Sequence, residues 1–600
     1  MTLDTPPGRG RLRDVALALA VGLAALAVRA FFLLGIEAYP KFELIRNRLD
    51  DQVFFHTWAL AMVQEQPLDL AATGHEFAYW AQGRPGVYPQ DPLYPWMLAV
   101  VYRAFGFEFE LVRWTQALLG SLAAALTCLV ALRLVRTGPA VLSGLAVGLY
   151  GPLVFYEAAF LREAPAAALC VVVLWLLDTA LRRDAEPHPH AYALLGLAGL
   201  VLGLTVLLRS NVLVFAIGAV AWAWWASRSR RLALVLAAGI ALPVAPVVAL
   251  NTARSGRLAL VSSSGAYNFF VGNVHDATGD GKGSWAYYDT VKASGPPESV
   301  SLYRKAFADI AAHPLAYLKL QARKAWLFFS PSDMPDNLSY PMGRKANPRL
   351  SLAPAEMYVL LPAALAGVVL GARRWRRLSL FYLFLVLYAA SVVLFFVVSR
   401  LQLPAVPVLA LFAGIGLDAW WTAVRHRAWK TAVATAVLAV AAAAGLRPPP
   451  DAYRSVDLEM AAAAFFSRGL AEEAAQRPDD ARRFHGRAVA LNPDHDPALA
   501  RFAALAAAPP APRPESMALA EQARVAAAAR RYDDARELLG EVARLEPDWA
   551  LPHQYLANVA FLEGDRRRAL RHLERAVQLQ PLDAAMRANL KKLRGDAAGP

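Results

Sequence analysis

Two adjacent aspartates, Asp50 and Asp51, follow the first long apolar run of the chain. Carboxylates at a membrane–water boundary can take a proton from an acceptor hydroxyl or amine, or hold a cation. A second charged group, Arg400, stands in Ser399-Arg-Leu-Gln-Leu-Pro404 at the end of another apolar run. Its guanidinium fork stays charged and matches phosphate oxygens. An arginine at that depth is costly when unpaired, which disfavours an accidental placement. Snorkelling to the interface is the alternative reading.

Other polar residues stand among apolar ones: Tyr94, Glu157, Glu163, Arg209, Asn268 and Asn273. Glu157 and Glu163 suit substrate contact or, equally, a helix cap or a pair with Arg162. Arg209 suits a phosphate contact or an interface anchor, and His56 reads as structural. No DxD occurs at the aspartate pair, and His75 and Glu76 lack ligand spacing. No metal and no cofactor are therefore expected.

These residues need elements to position them. With 57% hydrophobic and 18% charged residues over 600 positions, the composition is that of a polytopic membrane protein. The net charge of +14 does not point to nucleic acid, because the basic residues cluster in short loops between apolar runs. Cys128 and Cys170 lie inside apolar segments and read as small core residues. Runs long enough to span occur at 15–36, 112–134, 138–157, 163–181, 191–208, 211–227, 232–250, 354–371, 378–398, 403–422 and 430–446, about eleven in all. The first reads as a retained anchor.

With the N-terminus inside, Arg133/Arg136, Arg182/Arg183, Arg228–Arg231, Arg373–Arg377 and Arg425–Lys430 all fall in the cytoplasm. The stretch 92–105 is too short to cross and reads as an interfacial helix on the outer face. Segments 37–111 and 252–353 are then outer loops, and everything after Gly445 lies outside. The expected fold is thus an all-α transmembrane bundle over 1–446, a proline-rich linker over 447–456 and a helical repeat domain over 457–600.

The repeat reading rests on a fixed period. Ala535 and Ala569, Leu545 and Leu579, and Pro547 and Pro581 are each 34 apart. Ala481 precedes Pro493 by the same 12 positions that separate Ala535 from Pro547 and Ala569 from Pro581. Small residues at helix contacts and a closing proline fit an α-solenoid of tetratricopeptide repeats, which normally offers a groove to a protein partner.

The order of motifs resembles the GT-C glycosyltransferases, in particular family 39 and the dolichyl-phosphate-mannose protein mannosyltransferase-like group. An acidic pair follows the first span, and Pro92-Leu-Tyr94 opens a juxtamembrane helix. Tyr150-Gly-Pro-Leu-Val-Phe-Tyr-Glu157 with Leu161-Arg-Glu163 resembles an acidic loop of the family, and Leu208-Arg-Ser-Asn211 its Leu-Thr-Arg-Pro-type loop. Ser264-Gly-Ala-Tyr-Asn268-Phe-Phe-Val-Gly-Asn273 resembles an outer-loop motif of a bacterial subgroup that carries tetratricopeptide repeats. Ser399–Pro404 resembles an Arg-Tyr-Arg-x-Pro motif, with Gln402 in place of the second arginine; the usual Asp-Glu pair is here Asp-Asp.

The resemblance implies a polyprenyl-phosphate-sugar-dependent, inverting transferase of the cell envelope. It would act on a lipid, glycan or protein acceptor at the outer, periplasmic face of a bacterial inner membrane. Asp50 or Asp51 would serve as base. Arg400 and Arg209 would hold the donor phosphate, and Tyr94, Glu157, Glu163, Asn268 and Asn273 would contact substrate. The chemistry is coherent, because a phosphate departs without protonation and needs only a base for the acceptor and a fixed cation for the growing charge. An oligosaccharyltransferase or ligase moving a preassembled glycan, and a non-catalytic membrane scaffold, are the competing expectations.

Overall fold

The computed structural model describes residues 11–36, 42, 51–70, 76–181, 190–280, 285–297, 300–331, 333–445, 454–505 and 512–596. Asp50 lies outside this set. Among the described residues every extended element is helical, with one isolated parallel bridge between Tyr150 and Ala355. Helices dominate for a physical reason: in hydrocarbon each backbone group must find its partner within its own segment.

Among the described residues, eight stretches are long and apolar enough to cross a membrane: Leu12–Leu33, Phe109–Ala131, Glu163–Ala180, Ala191–Leu208, Ser210–Ser227, Arg230–Ser255, Met357–Val393 and Ser399–Arg425. The fold is the expected all-α polytopic bundle, but with fewer long stretches than the roughly eleven expected from apolar run length. Met357–Val393 holds two of the expected runs, as the helices Met357–Gly371 and Trp375–Val393. The runs expected at 138–157 and 430–446 contain shorter apolar helices, Thr137–Gly148 and Trp429–Ala441.

The break in 138–157 has a local cause. After Gly148 the chain turns through an extended Tyr150, and a new short helix, Gly151–Glu157, starts with Pro152 in its first turn. Gly151 N–H donates to the Ala355 carbonyl at 2.8 Å, and Ala355 N–H to the Leu149 carbonyl at 3.0 Å. A Cβ on Gly151 would come within 2.1 Å of the Tyr340 hydroxyl, so only glycine fits there. Close approach also decides the packing of Met357–Gly371 on Val406–Arg425, where a Cβ on Gly367 would lie 1.7 Å from the Phe412 carbonyl oxygen.

The helix Glu163–Ala180 fixes two ends of the bundle. Near its C-terminus, Asp178 accepts from Arg133 at 3.0 Å and Arg377 at 2.6 Å. At its N-terminus stands Glu163. At 1.5 Å rise per residue the two carboxylates are about 22 Å apart. The arginines of two expected cytoplasmic loops therefore meet at the end opposite Glu163.

Of the sequence read as the first outer loop, one segment expected as loop and one expected as a helix are both helical. Asp51 is the first residue of the helix Asp51–Val63 rather than part of a loop. Leu93–Phe105, the short apolar stretch, is a 13-residue helix ending at a positive-φ Gly106.

By contacts the chain divides into two compact units, the second covering 450–600. Within that second unit, helices of 14 residues run over Pro478–Leu491, Tyr532–Leu545 and Arg566–Leu579. Ala481, Ala535 and Ala569 are fully buried at equivalent places in them. One residue separates the end of each helix from a proline, which disfavours helical backbone in the residue it follows. The turn preceding each helix carries a left-handed residue: Gln476 (φ 57), Arg530 (φ 61) and Gly564 (φ 80).

Candidate active site

The site is built from the N-terminus of Glu163–Ala180, the N-terminus of Asp51–Val63, the turn Ser399–Gln402 and the loop 333–339. Arg400 lies at its centre and is buried. Its Nη2 meets Asp51 Oδ2 at 2.7 Å and Asp336 Oδ2 at 2.5 Å, while Nε donates to the same Asp336 oxygen at 2.6 Å. Nη1 reaches Glu163 Oε1 at 3.2 Å, and that oxygen also accepts from Arg209 Nη1 at 2.8 Å. Asn337 donates to Asp51 Oδ2 at 2.7 Å. Three carboxylates thus face two guanidinium groups.

A second layer supports the first. Asp91 accepts from Arg162 at 2.9 Å, from the Ser210 backbone N–H at 3.0 Å and from the Ser262 hydroxyl at 2.9 Å. Arg162 also donates to Gln90 at 2.9 Å. Next to Arg209, Asn211 donates to Ser391 at 2.9 Å.

The turn holding Arg400 is strapped to the loop holding Asp336. Met334 N–H donates to the Ser399 hydroxyl at 2.6 Å, and Ser399 N–H donates back to the Met334 carbonyl at 3.2 Å. Gln402 Nε2 donates to the carbonyls of Leu327, Phe328 and Ser330 at 3.2, 2.9 and 3.4 Å. A neutral amide at 402 thus caps the end of the helix Pro314–Phe328. Beside this turn a cavity of about 350 Å³ is lined by Tyr150, Asp333, Tyr340, Arg344, Glu356, Ser399 and Gln402 among others.

Asp336 is the least buried carboxylate of the cluster, its side chain 32% exposed and otherwise covered. Burial, and then the charge of Asp51, push its carboxyl above the usual range, against the pull of Arg400. A carboxyl so raised is closer to the pKa that proton transfer near neutrality requires.

Of the residues singled out in the sequence, the structure brings together Asp51, Glu163, Arg209 and Arg400. Glu157 lies elsewhere, buried in an ion pair with Arg29 at 2.5 and 2.9 Å. The Tyr94 hydroxyl donates to Gln116 at 3.2 Å, and Gln116 in turn donates to the carbonyls of Glu157 and Ala159. Asn273 accepts from Lys324 at 2.9 Å, and that ammonium also donates to the Gly272 and Phe395 carbonyls. Burial pulls Lys324 down to about 7. Asn268 is half-buried on the helix Ser264–Asn273. His56 is structural in position, its Nδ1 2.9 Å from the Tyr102 hydroxyl. Asp336 and Asn337 went unrecognised in the sequence, because Ser330–Ser339 has the composition of a solvated loop.

The model of the family described as dolichyl-phosphate-mannose-protein mannosyltransferase matches residues 87–249, about a quarter of the chain. The matched stretch contains Asp91, Glu163 and Arg209, while Asp51, Asp336 and Arg400 lie outside it. Among solved structures, the chain is similar to an archaeal oligosaccharyltransferase, AglB from Archaeoglobus fulgidus, in complex with an inhibitory peptide and a dolichol-phosphate. Identity is 12%, the TM-score is 0.40, and the match covers 75% of this chain and 58% of that one. The chain therefore spans less than two thirds of that structure's length. No curated protein matches it. The class that the helical fold and the family match support is a multi-pass membrane glycosyltransferase.

Proposed function

We propose that this chain transfers a sugar from a polyprenyl-phosphate donor to a lipid, glycan or protein acceptor at the outer face of a bacterial inner membrane. The observation that carries the reading is the meeting of Arg400 with Asp51 and Asp336. A fixed cation and two carboxylates at one bundle end are the parts that phosphate departure with acceptor deprotonation needs.

In the reaction, Asp51 or its neighbour Asp50 takes the acceptor proton. The freed oxygen forms a bond to the anomeric carbon as the bond from that carbon to the phosphate oxygen breaks. The electron pair leaves on the phosphate, where Arg400 offsets the charge. Attack opposite the leaving group inverts the anomeric centre. In the resting state Asp336 occupies the face of Arg400 open to solvent, so donor phosphate displaces that carboxylate on binding. Arg209, held by Glu163, offers a second guanidinium to the same anion.

The unit over 454–596 is proposed as a tetratricopeptide-repeat module that recruits a protein partner or acceptor. Its 34-residue spacing, its buried alanines and its repeated left-handed turns support this reading. With the N-terminus cytoplasmic, the site and the repeats are extracytoplasmic.

The test is transfer of a labelled sugar from a synthetic polyprenyl phosphate by the detergent-purified chain. Turnover that falls steeply in Asp51→Asn or Asp50→Asn, and in Arg400→Ala, supports the proposal. Wild-type protein with no transfer from a panel of such donors overturns it.

A further inference from the structure

Away from the carboxylate cluster, two helices of the lobe built around Trp80, Phe269, Phe270, Tyr288 and Leu302 bring imidazoles together. His275 follows the end of the helix Ser264–Asn273, and His313 caps the end of Leu302–Ala312. Asp309 lies one turn before His313, so the two share a helix face.

The three side chains converge on one point. His275 Nδ1 is 2.7 Å and His313 Nδ1 3.4 Å from the same Asp309 oxygen, Oδ1. The two rings stand with centroids 4.5 Å apart. One ligand atom from each residue lies within 4.8 Å of the others. The second Asp309 oxygen accepts the His275 backbone N–H at 2.6 Å, which fixes the carboxylate's orientation. The carboxylate is 4% exposed, whereas the imidazoles are 37% and 47% exposed, so an ion can reach them from solvent.

Two neutral imidazoles and one carboxylate suit a borderline-soft divalent ion. Calcium and magnesium instead favour all-oxygen shells. We propose that His275, Asp309 and His313 form a zinc-class site that clamps the ends of these two helices. With three protein ligands, water completes the coordination. The bond from His275 ties the loop after Ser264–Asn273 to Leu302–Ala312, cross-linking the lobe as a disulfide would. This site stands apart from the transfer chemistry, and its test does not depend on activity.

The experiment uses the full-length chain in detergent, stripped with a chelator and titrated with zinc chloride by calorimetry. Cobalt(II) absorption in the visible region is the second readout. Zinc should bind the wild type at one ion per chain and bind His313→Ala and His275→Ala at least about tenfold more weakly. The cobalt bands should disappear in both variants. His553 and His572 stack at 5.8 Å on the repeats and are the competing imidazole pair, so the double variant His553→Ala/His572→Ala should keep full zinc binding. If the His275 variant fails to fold, His313→Gln at its exposed helix end remains decisive. The proposal is overturned by a wild type that takes up no zinc, by unchanged affinity in the His313 variants, or by loss confined to the His553/His572 variant.

Discussion

Arg400 and Asp51 are separated by most of the membrane unit in sequence, yet their Nη2 and Oδ2 atoms lie 2.7 Å apart. A buried pair of this kind holds its partners in one arrangement; removing Arg400 strips Asp51 of its cation, whereas removing Asp51 leaves Arg400 with Asp336 and Glu163. The effects of substituting the two residues should therefore be separable only by comparing binding with turnover.

Asp51→Asn keeps shape and most hydrogen bonding while deleting the charge. If Asp51 is the base, turnover falls by roughly 10²–10⁴ with donor affinity nearly unchanged. Asp50→Asn is the parallel variant. Full activity in both, measured as sugar transfer in detergent, would remove the acidic pair from the mechanism.

Arg400→Ala should weaken donor binding and turnover together, because phosphate is present in both ground and transition states. Arg400→Lys should recover only part of the loss, since a point charge cannot reproduce a fork that spans Asp51, Asp336 and Glu163. Equal rescue by lysine would argue against bidentate capture.

Asp336→Asn tests the displacement step. Removing the carboxylate that occupies the open face of Arg400 should lower the donor KM several-fold. The raised carboxyl sets the sign of the pH effect. As pH falls, Asp336 takes a proton earlier than an ordinary carboxyl, releases Arg400, and donor affinity rises. In stability terms the same group favours the folded state at low pH, and that contribution is lost as pH rises from the ordinary carboxylate range through the raised value. The variant's donor KM should be flatter with pH than that of the wild type. A wild-type KM that does not respond to pH, together with an unchanged KM in the variant, would argue against competition at Arg400.

Glu157→Gln should act on stability. Its carboxylate is 2% exposed and paired with Arg29, and breaking such a pair costs about 3–5 kcal/mol. A lower thermal midpoint with little change in donor KM is expected. The reverse pattern would return Glu157 to the substrate site.

Topology can be read with alkaline phosphatase fusions. A fusion after Arg454 should be active and one near Arg376 inactive. Arg377 pairs with Asp178 at the bundle end opposite Glu163, the end assigned to the cytoplasm. An inactive distal fusion would show that a crossing had been miscounted.

How much of this was legible in the sequence varied with the kind of signal. Apolar run length gave the long helices, because hydrocarbon thickness is a one-dimensional constraint. It could not show the break at Leu149–Tyr150, since hydropathy does not register a change of direction; the Gly151-Pro152 step was the available cue. Glu157 and Glu163 read alike, six positions apart on one apolar stretch. What separates them is their partners, Arg29 for one and Arg209 with Arg400 for the other. Asp336 was hidden in a polar loop because tertiary bonds to residues distant in sequence, among them those of Ser399, Arg400 and Asp51, carry that loop to the site. Gln402, which looked like a missing arginine, has carbonyl partners of its own.

Ser399 and Gln402 hold the neighbouring segment through its main-chain atoms: the carbonyls of Leu327, Phe328, Ser330 and Met334, and the Met334 N–H. Main-chain recognition is indifferent to side-chain identity. These particular bonds are therefore blind to the side chains at 327, 328, 330 and 334, but Ser330 and Met334 are themselves buried and Asp333 accepts the Tyr340 N–H at 3.3 Å, while Asp336 just beyond is held to a single chemistry. A mutational library across 327–337 should show its tightest chemical restriction at Asp336, and restriction by size rather than by chemistry at the buried Ser330 and Met334. Sequence variability at this edge of the site would then trace a geometric boundary rather than a lack of importance.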